Sequence, residues 1–268
     1  MHKEDAALLE DVVRGAGVIA RKFFSGENAF KMKSDGTPVS EADLAVNAYL
    51  KEHLRAARPD YGWLSEENDD DQARLSAKKL FVIDPIDGTQ AIIDGKPHFT
   101  ICVAIVEDHQ PVVAAVYNPL LDEYYAAEAG TGARLNGQPI HVSTRQELAG
   151  CKMLVRSKLT GRPVWNFDPW PAMAEEDRGS AAYRLVLVAA GTFDATISLT
   201  SKCDWDLAAA HLIVREAGGR VVNHRGEEPS YNHPSVIILS AIAGNDALTR
   251  AIISRTSKVE PGLAGENL

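Results

Sequence analysis

From residue 80 the chain reads LFVIDPIDGTQAII, an apolar strand that runs straight into two acids, Asp84 and Asp87, with Pro85 between them and Gly88-Thr89 directly after. Taken alone, Asp-Pro-Ile-Asp-Gly is also a plausible turn. A strand that delivers two carboxylates at its end, however, crowds like charges together at a cost unless a cation lies between them. Hard divalent ions prefer oxygen ligands, and Mg²⁺ takes a few carboxylates together with water and substrate phosphate. The Pro85 kink lets Asp84 and Asp87 diverge around one ion while the carbonyl of Ile86 turns toward another. Gly88 and Thr89 begin a short helix whose first N–H groups can hold a phosphate beside those metals. The stretch therefore predicts a cradle for metal and phosphate.

Other acids fall at the ends of predicted elements. Glu66 and Glu67 follow an apolar triplet in WLSEEN, Asp43 starts a helix at the end of KMKSDGTPVSEAD, and Asp206 opens the helix DWDLAAAHLIVREAGG. Singly, Asp43 and Asp206 read better as helix caps, and Glu66-Glu67 as a solvated turn. Together with Asp84 and Asp87 they supply the acids a divalent site needs.

The periodicity predicts a helix over residues 5–24 with Leu8, Leu9, Val12, Val13, Ala16 and Ile19 on one stripe. Ser40 with Asp43 resembles a capping box for a second helix, with Val46, Tyr49, Leu50 and Leu54 facing inward and Pro59 closing it. Strands follow at LFVID, FTICVAIVED and PVVAAVYNP, the last two as a hairpin turning at 108–110, then around Tyr124 to Ala127, in a largely antiparallel sheet. Residues 157–180 read as a connection. Beyond it come a helix over 181–190, a strand around 194–199, a helix from Asp206 to Ala217 and a strand SVIILSAI. We expect an N-terminal α+β half over 1–150 carrying most of the metal ligands and a C-terminal α/β half over 151–268 carrying Asp206, joined as a single compact catalytic unit. The tail VEPGLAGENL is expected to fray.

A net charge of −9 with no basic block disfavours a nucleic-acid polymer or an anionic membrane as partner; if the substrate is an anion, something other than net charge must hold it, and bound cations are the obvious candidate. Cys102, Cys151 and Cys203 suggest neither disulfides nor a zinc cluster and fit a reducing compartment. The N-terminus lacks the basic flank and apolar run of a signal peptide, and no segment reaches membrane-spanning length. The expectation is a cytoplasmic protein.

The blocks KSDGTPVSEAD, LSEEN, DPIDGT, GTGARLNG and WDLAAAHLIVREAGG resemble, over essentially the whole chain, the inositol monophosphatase family of Mg²⁺-dependent, lithium-sensitive phosphatases. The resemblance implies a layered αβαβα sandwich, mixed α+β and α/β, usually a homodimer, with two to three Mg²⁺ per site. It implies that Glu66, Asp84 and the Ile86 carbonyl bind the first Mg²⁺, that Asp84, Asp87 and Asp206 bind the second, and that a third, weaker ion shares Glu66. Gly88 and Thr89 would bind phosphate through their N–H groups, with Asp87 and Asp206 also facing the substrate. Thr89, paired with Asp43, would orient and deprotonate the attacking water. Lys33 falls on the family's mobile loop, and Glu67 flanks the site without an assigned role.

The resemblance implies a small phosphate monoester as substrate. Inositol-specific members carry a glutamate on the loop before the Trp-Asp pair, where this chain has Ser198 or Leu199, and a leucine cannot accept a hydrogen bond from a sugar hydroxyl. The blocks LSEE, DPIDGT, RLVLVAAG and DWDLAAA look more similar to the bacterial branch that removes the 3'-phosphate of 3'-phosphoadenosine 5'-phosphate. Such a substrate needs a second phosphate pocket, for which Lys202 and Arg184 are the available cations, although each reads equally well as an ordinary surface charge. Trp165, Phe167 and Trp170 could stack an adenine, although packing against the sheet is the plainer role. Inositol 1-phosphate and a sugar bisphosphate are the alternatives. A non-catalytic regulatory relative should have lost a metal carboxylate or the threonine, and none is lost. The histidines lack the spacing of a zinc hydrolase.

Overall fold

The computed structural model describes residues 2–24, 30–32, 38–155 and 170–259. In chain order the elements begin with α1 (Lys3–Phe24), the antiparallel pair β1 (Phe30–Met32) and β2 (Pro38–Ser40), and α2 (Glu41–Ala57). Next come β3 (Gly62–Ser65), a 3₁₀ turn (Gln72–Ser76), β4 (Lys79–Asp87), α3 (Thr89–Ile93), β5 (Thr100–Glu107), β6 (Gln110–Asn118), β7 (Glu123–Glu128), β8 (Ala133–Leu135) and β9 (Gln138–Pro139). The remainder is β10 (Lys152–Val155), β11 (Ala174–Glu176), α4 (Ala181–Ala189), β12 (Ala195–Ser198), β13 (Lys202–Cys203), α5 (Asp204–Glu216), β14 (Arg220–Val222), β15 (Ile237–Ile238), β16 (Ala241–Gly244) and α6 (Asp246–Thr256).

Strands β3 to β9 form one sheet in sequential order, parallel only between β3 and β4. The β5–β6 hairpin turns at Asp108 and His109, both at positive φ, a turn whose twist matches that of the flanking strands. The second sheet has the order β11-β10-β12-β16-β14, parallel through its first three strands and antiparallel through the rest.

The alternation of side chains along these strands builds the layers. Phe81, Ile83, Ile101, Val103 and Ile105 face α1 and α2, where Leu9, Val12, Val13, Val46 and Leu50 are buried. Their neighbours Leu80, Val82, Cys102, Ala104 and Val106 face the other way, onto α4 and α5. Those two helices are apolar almost all round because they are covered on both sides, by the first sheet and by Leu154, Val221 and Ala243 of the second. The outward face of the second sheet, with Met153, Val155, Ile197 and Ile242, packs on Leu248 and Ile252 of α6. Helices, sheet, helices, sheet, helix follow one another, which is the expected αβαβα sandwich.

Four local expectations change. The 157–180 connection is not wholly irregular, because Ala174–Glu176 adds an edge strand to β10. The run SVIILSAI is not one strand: Ile237–Ile238 pairs with Lys202–Cys203, and Ala241–Gly244 belongs to the second sheet. Between them the buried Ser240 turns its hydroxyl to the His224 backbone N–H at 2.8 Å, which breaks the run. Asp206 is the third residue of its helix, which begins at Asp204. Helix α6, capped by Asn245 accepting from the Leu248 N–H, was not anticipated, although a capping Asn ahead of Leu248 and Ile252 is a readable start signal. The tail from 260 lies outside the described residues.

Candidate active site

Asp84 and Asp87 are three residues apart, and on a regular strand, where faces alternate, they would point to opposite sides of the sheet. The β4–β5 register removes that problem. Asp84 pairs with Cys102 and Asp87 with Thr100, so three steps on β4 match two on β5 and a bulge falls at Pro85-Ile86. Proline suits this position because the bulge does not require its missing N–H. Both acids now face the α4–α5 layer.

There they meet Asp206. Asp84, Asp87 and Asp206 each offer a carboxylate oxygen within 4.8 Å of the others. Each is oriented by a backbone amide: Ile86 N–H donates to Asp84 Oδ1 at 3.0 Å, Cys203 N–H to Asp206 Oδ2 at 2.7 Å and Ala181 N–H to Asp87 Oδ1 at 3.1 Å. Asp87 sits on the start of α4, where Ser180 Oγ also donates to its Oδ2 at 2.6 Å and Ala182 N–H donates to the same oxygen. Ser180 as a helix cap was legible in RGSAAYRL, but its second partner lies 93 residues away and was not.

At an effective dielectric of about 20, two unit charges at such a separation repel by roughly 3 kcal/mol. Burial, and then Glu66, Asp87, Asp206 and Asp43, push the Asp84 carboxyl well above the ordinary range. Burial and the neighbouring Asp87 raise Asp206 to about 6. Burial raises Asp87 against the opposing Ser180 and amide hydrogen bonds. Three converging carboxylates that resist ionisation when nothing else is bound form an all-oxygen donor set, and a hard divalent cation fits it.

Asp43 is the third residue of α2, and its Oδ2 accepts from the N–H of Ser40 at 2.9 Å and from the Ser40 hydroxyl. Its Oδ1 accepts from Thr89 Oγ1 at 2.9 Å. It is a cap and the threonine's partner at once. Thr89 Oγ1 also lies 3.3 Å from the Ile86 carbonyl. Gly88 caps α3 with φ 101°, and a Cβ there would meet the His98 carbonyl at 3.1 Å and Ser180 Cβ at 3.2 Å, so glycine lets the α3 start approach the α4 start. Glu66 follows β3, half-buried, its N–H on the Ile83 carbonyl at 3.2 Å, and its charge acts on Asp84. Glu67 N–H reaches the Ser65 hydroxyl at 3.4 Å.

Of the residues named for substrate, Leu199 is buried in the outer core and Ser198 Oγ lies 3.1 Å from Thr200 Oγ1. Lys202 Nζ donates to Thr200 Oγ1 at 3.0 Å and to the Ser201 carbonyl at 3.1 Å, and its charge acts on Asp206. Arg184 is not a surface cation. It is buried, donates to the Arg178 carbonyl at 2.8 Å and lies 3.8 Å from Asp177. The crevice between Arg184, Ser198 and Lys202 holds only about 10 Å³, no more than one water, so among the described residues these two cations do not line a space that admits a phosphate. Trp170 packs in the outer core under Arg255 and is unavailable for stacking. Lys33, Trp165 and Phe167 lie outside the described residues.

Strand-end carboxylates converging with a helix-borne one, beside a hydrogen-bonded Thr-Asp pair, are the apparatus of a cation-assisted phosphatase. The chain belongs to the inositol monophosphatase family, whose model matches residues 2–260. An inositol-1-monophosphatase of Rhizobium meliloti is 32% identical over 253 residues, covering 91% of this chain and 92% of its own. A 3'(2'),5'-bisphosphate nucleotidase CysQ of Aggregatibacter actinomycetemcomitans is 33% identical over 235 residues, covering 84% and 87%. The extragenic suppressor protein suhB of Bartonella henselae has a crystal structure that superposes with a TM-score of 0.80 at 28% identity, covering 94% of this chain and 98% of its own.

Proposed function

We propose that this phosphatase is Mg²⁺-dependent and that its preferred substrate is 3'-phosphoadenosine 5'-phosphate. Asp84, Asp87, Asp206, Glu66 and the Ile86 carbonyl are the residues that would hold Mg²⁺. Bound there, the metal supplies charge neutralisation and a lowered pKa for water. The chain's own groups do the positioning. The amides of Gly88 and Thr89 bind the phosphate that is cleaved. Thr89 Oγ1 accepts the proton of the attacking water and passes its own to Asp43 Oδ1, 2.9 Å away.

The observation that carries the substrate is Leu199. Pairing of Ser198 with Ala241 fixes the register of β12, and the next residue, Leu199, is buried in the outer core, so no acid reads a polyol from this loop. Lys202, three residues further on and beside Asp206, favours an ester with a second negative group. Inositol 1-phosphate is the second reading, supported by the 32% identity to the R. meliloti inositol-1-monophosphatase across nearly the whole chain. Phosphate release from 3'-phosphoadenosine 5'-phosphate, inositol 1-phosphate and fructose 1,6-bisphosphate, compared as kcat/KM under one set of conditions, tests the choice. The nucleotide should rank first, and inositol 1-phosphate in first place overturns it.

A further inference from the structure

The Glu66 loop and the start of α5 are some 140 residues apart in the chain, and one buried guanidinium joins them. Arg74, in the 3₁₀ turn after that loop, has a side chain only 1% exposed. Its Nε and Nη2 take both oxygens of Asp70, the second at 2.8 Å, in the two-pronged geometry that suits a carboxylate. Nη1 donates to Asn232 Oδ1 at 2.7 Å and Nη2 to the His233 carbonyl at 3.0 Å. Asn232, in the left-handed conformation at φ 60°, donates its backbone N–H to Asp204 Oδ2 at 2.9 Å. Asp204 is the first residue of α5 and stands two before Asp206.

The other sides of both segments are fixed independently. Asn68 accepts from Trp63 Nε1 at 2.9 Å, and the Ser65 hydroxyl donates to Asn47 at 2.8 Å, which leaves Asp70 as the anchor of the loop's far end. Tyr231 holds the 231–233 segment to the body of α5 through its hydroxyl and His211 Nδ1, 2.9 Å apart. Arg74 thus closes a circuit from Asp70 through Asn232 to Asp204, and the two segments it joins carry Glu66 and Asp206.

We propose that Arg74 is a positioning residue for the metal site, setting the distance between the Glu66 loop and the Asp206 end of α5. Lysine could keep the charge but not the fork, so it could not hold Asp70, Asn232 and the His233 carbonyl together.

The proposal rests on the metal reading, and the test separates the two. Mn²⁺ is titrated into chelator-stripped protein, with free Mn²⁺ followed by electron paramagnetic resonance and folding checked by circular dichroism. The proteins are wild type, Arg74→Lys, Arg74→Gln and the double variant Asp70→Asn/Arg74→Gln, which removes both members of the buried pair. The control is Arg145→Gln, which breaks an ion pair with Asp194 that lies 3.1 Å away at the outer sheet. Wild type that binds no Mn²⁺ overturns the metal reading itself. If it binds, at least fivefold weaker Mn²⁺ affinity is expected in every Arg74 variant that folds, with the control within twofold of wild type. A smaller change, or an equal change in the control, overturns the proposal. Failure of all three Arg74 variants to fold makes the residue a core element and overturns it as well.

Discussion

Thr89 Oγ1 lies 2.9 Å from Asp43 Oδ1, while the other oxygen of Asp43 is taken by Ser40 at the start of α2. The threonine hydroxyl therefore gives its proton to Asp43 and presents a lone pair outward, the state in which it can accept a proton from water. Thr89→Val should lower kcat by about 10² to 10⁴, the range of a lost general-base path, with KM changing little. Thr89→Ser should restore most of the activity. Steady-state kinetics on the three proteins checks this, and a valine variant with normal kcat would place the proton elsewhere.

Asp206 has two tasks that asparagine separates. An amide oxygen can still accept from Cys203 N–H, now at 2.7 Å, but brings no charge to the cluster. Asp206→Asn should retain the helix and lose at least about 100-fold in Mg²⁺-supported kcat/KM, a size in keeping with a lost charge-assisted contact. Full turnover in the variant would reduce Asp206 to a cap.

The contribution of Asp206 to the stability of the metal-free protein should fall as pH rises. The folded-state Asp206 carboxyl is raised to about 6 from its usual 3.8 by burial and by Asp87. A raised carboxylate stabilises the fold fully below about pH 4, and that contribution is lost as pH rises through about 6, since the unfolded chain releases the proton more readily. The full shift corresponds to about 3 kcal/mol. Urea melts in chelator at pH 4.5 and 7.5 should show wild type losing more stability, or gaining less, than Asp206→Asn between the two pH values. An equal change in both proteins would exclude Asp206 from the pH response.

Lys202→Ala should weaken apparent binding of 3'-phosphoadenosine 5'-phosphate by about 1–3 kcal/mol, the scale of a charged hydrogen bond, and leave inositol 1-phosphate nearly unaffected. KM values for the two substrates, measured side by side, decide the point. An equal effect on both would make Lys202 a general electrostatic influence on Asp206.

What could be read from the sequence was local. Asp84, Pro85, Asp87 and Gly88 announce themselves within five positions, and the capping acids follow the helix-start pattern. The long-range partners did not show, because Ser180 meets Asp87 across 93 residues and Arg74 meets Asn232 across 158, distances at which periodicity carries no information. Arg184 departs from its surface reading for the related reason that a charged residue inside RLVLVAAG does not show as buried until the helix is seen to be covered on two sides. The fold was legible for the opposite reason: α1 and α2 carry a clear helical period, β4 to β6 are apolar runs bounded by turn residues, and Leu9, Val13, Val46 and Leu50 are buried as the helical period requires.

Asp43 and Asp206 occupy the same place in their helices, the third residue, and each bonds back to the residue just before its helix with one carboxylate oxygen. The helix start is therefore also a ruler. Deleting or inserting one residue inside either first turn rotates the acid by about 100° around the helix axis and aims it away from its partners. The strands and loops leading into α2 and α5 can vary in composition, but the count from cap to acid is fixed at three. In this phosphatase, the secondary-structure boundary and the chemical site are the same set of atoms.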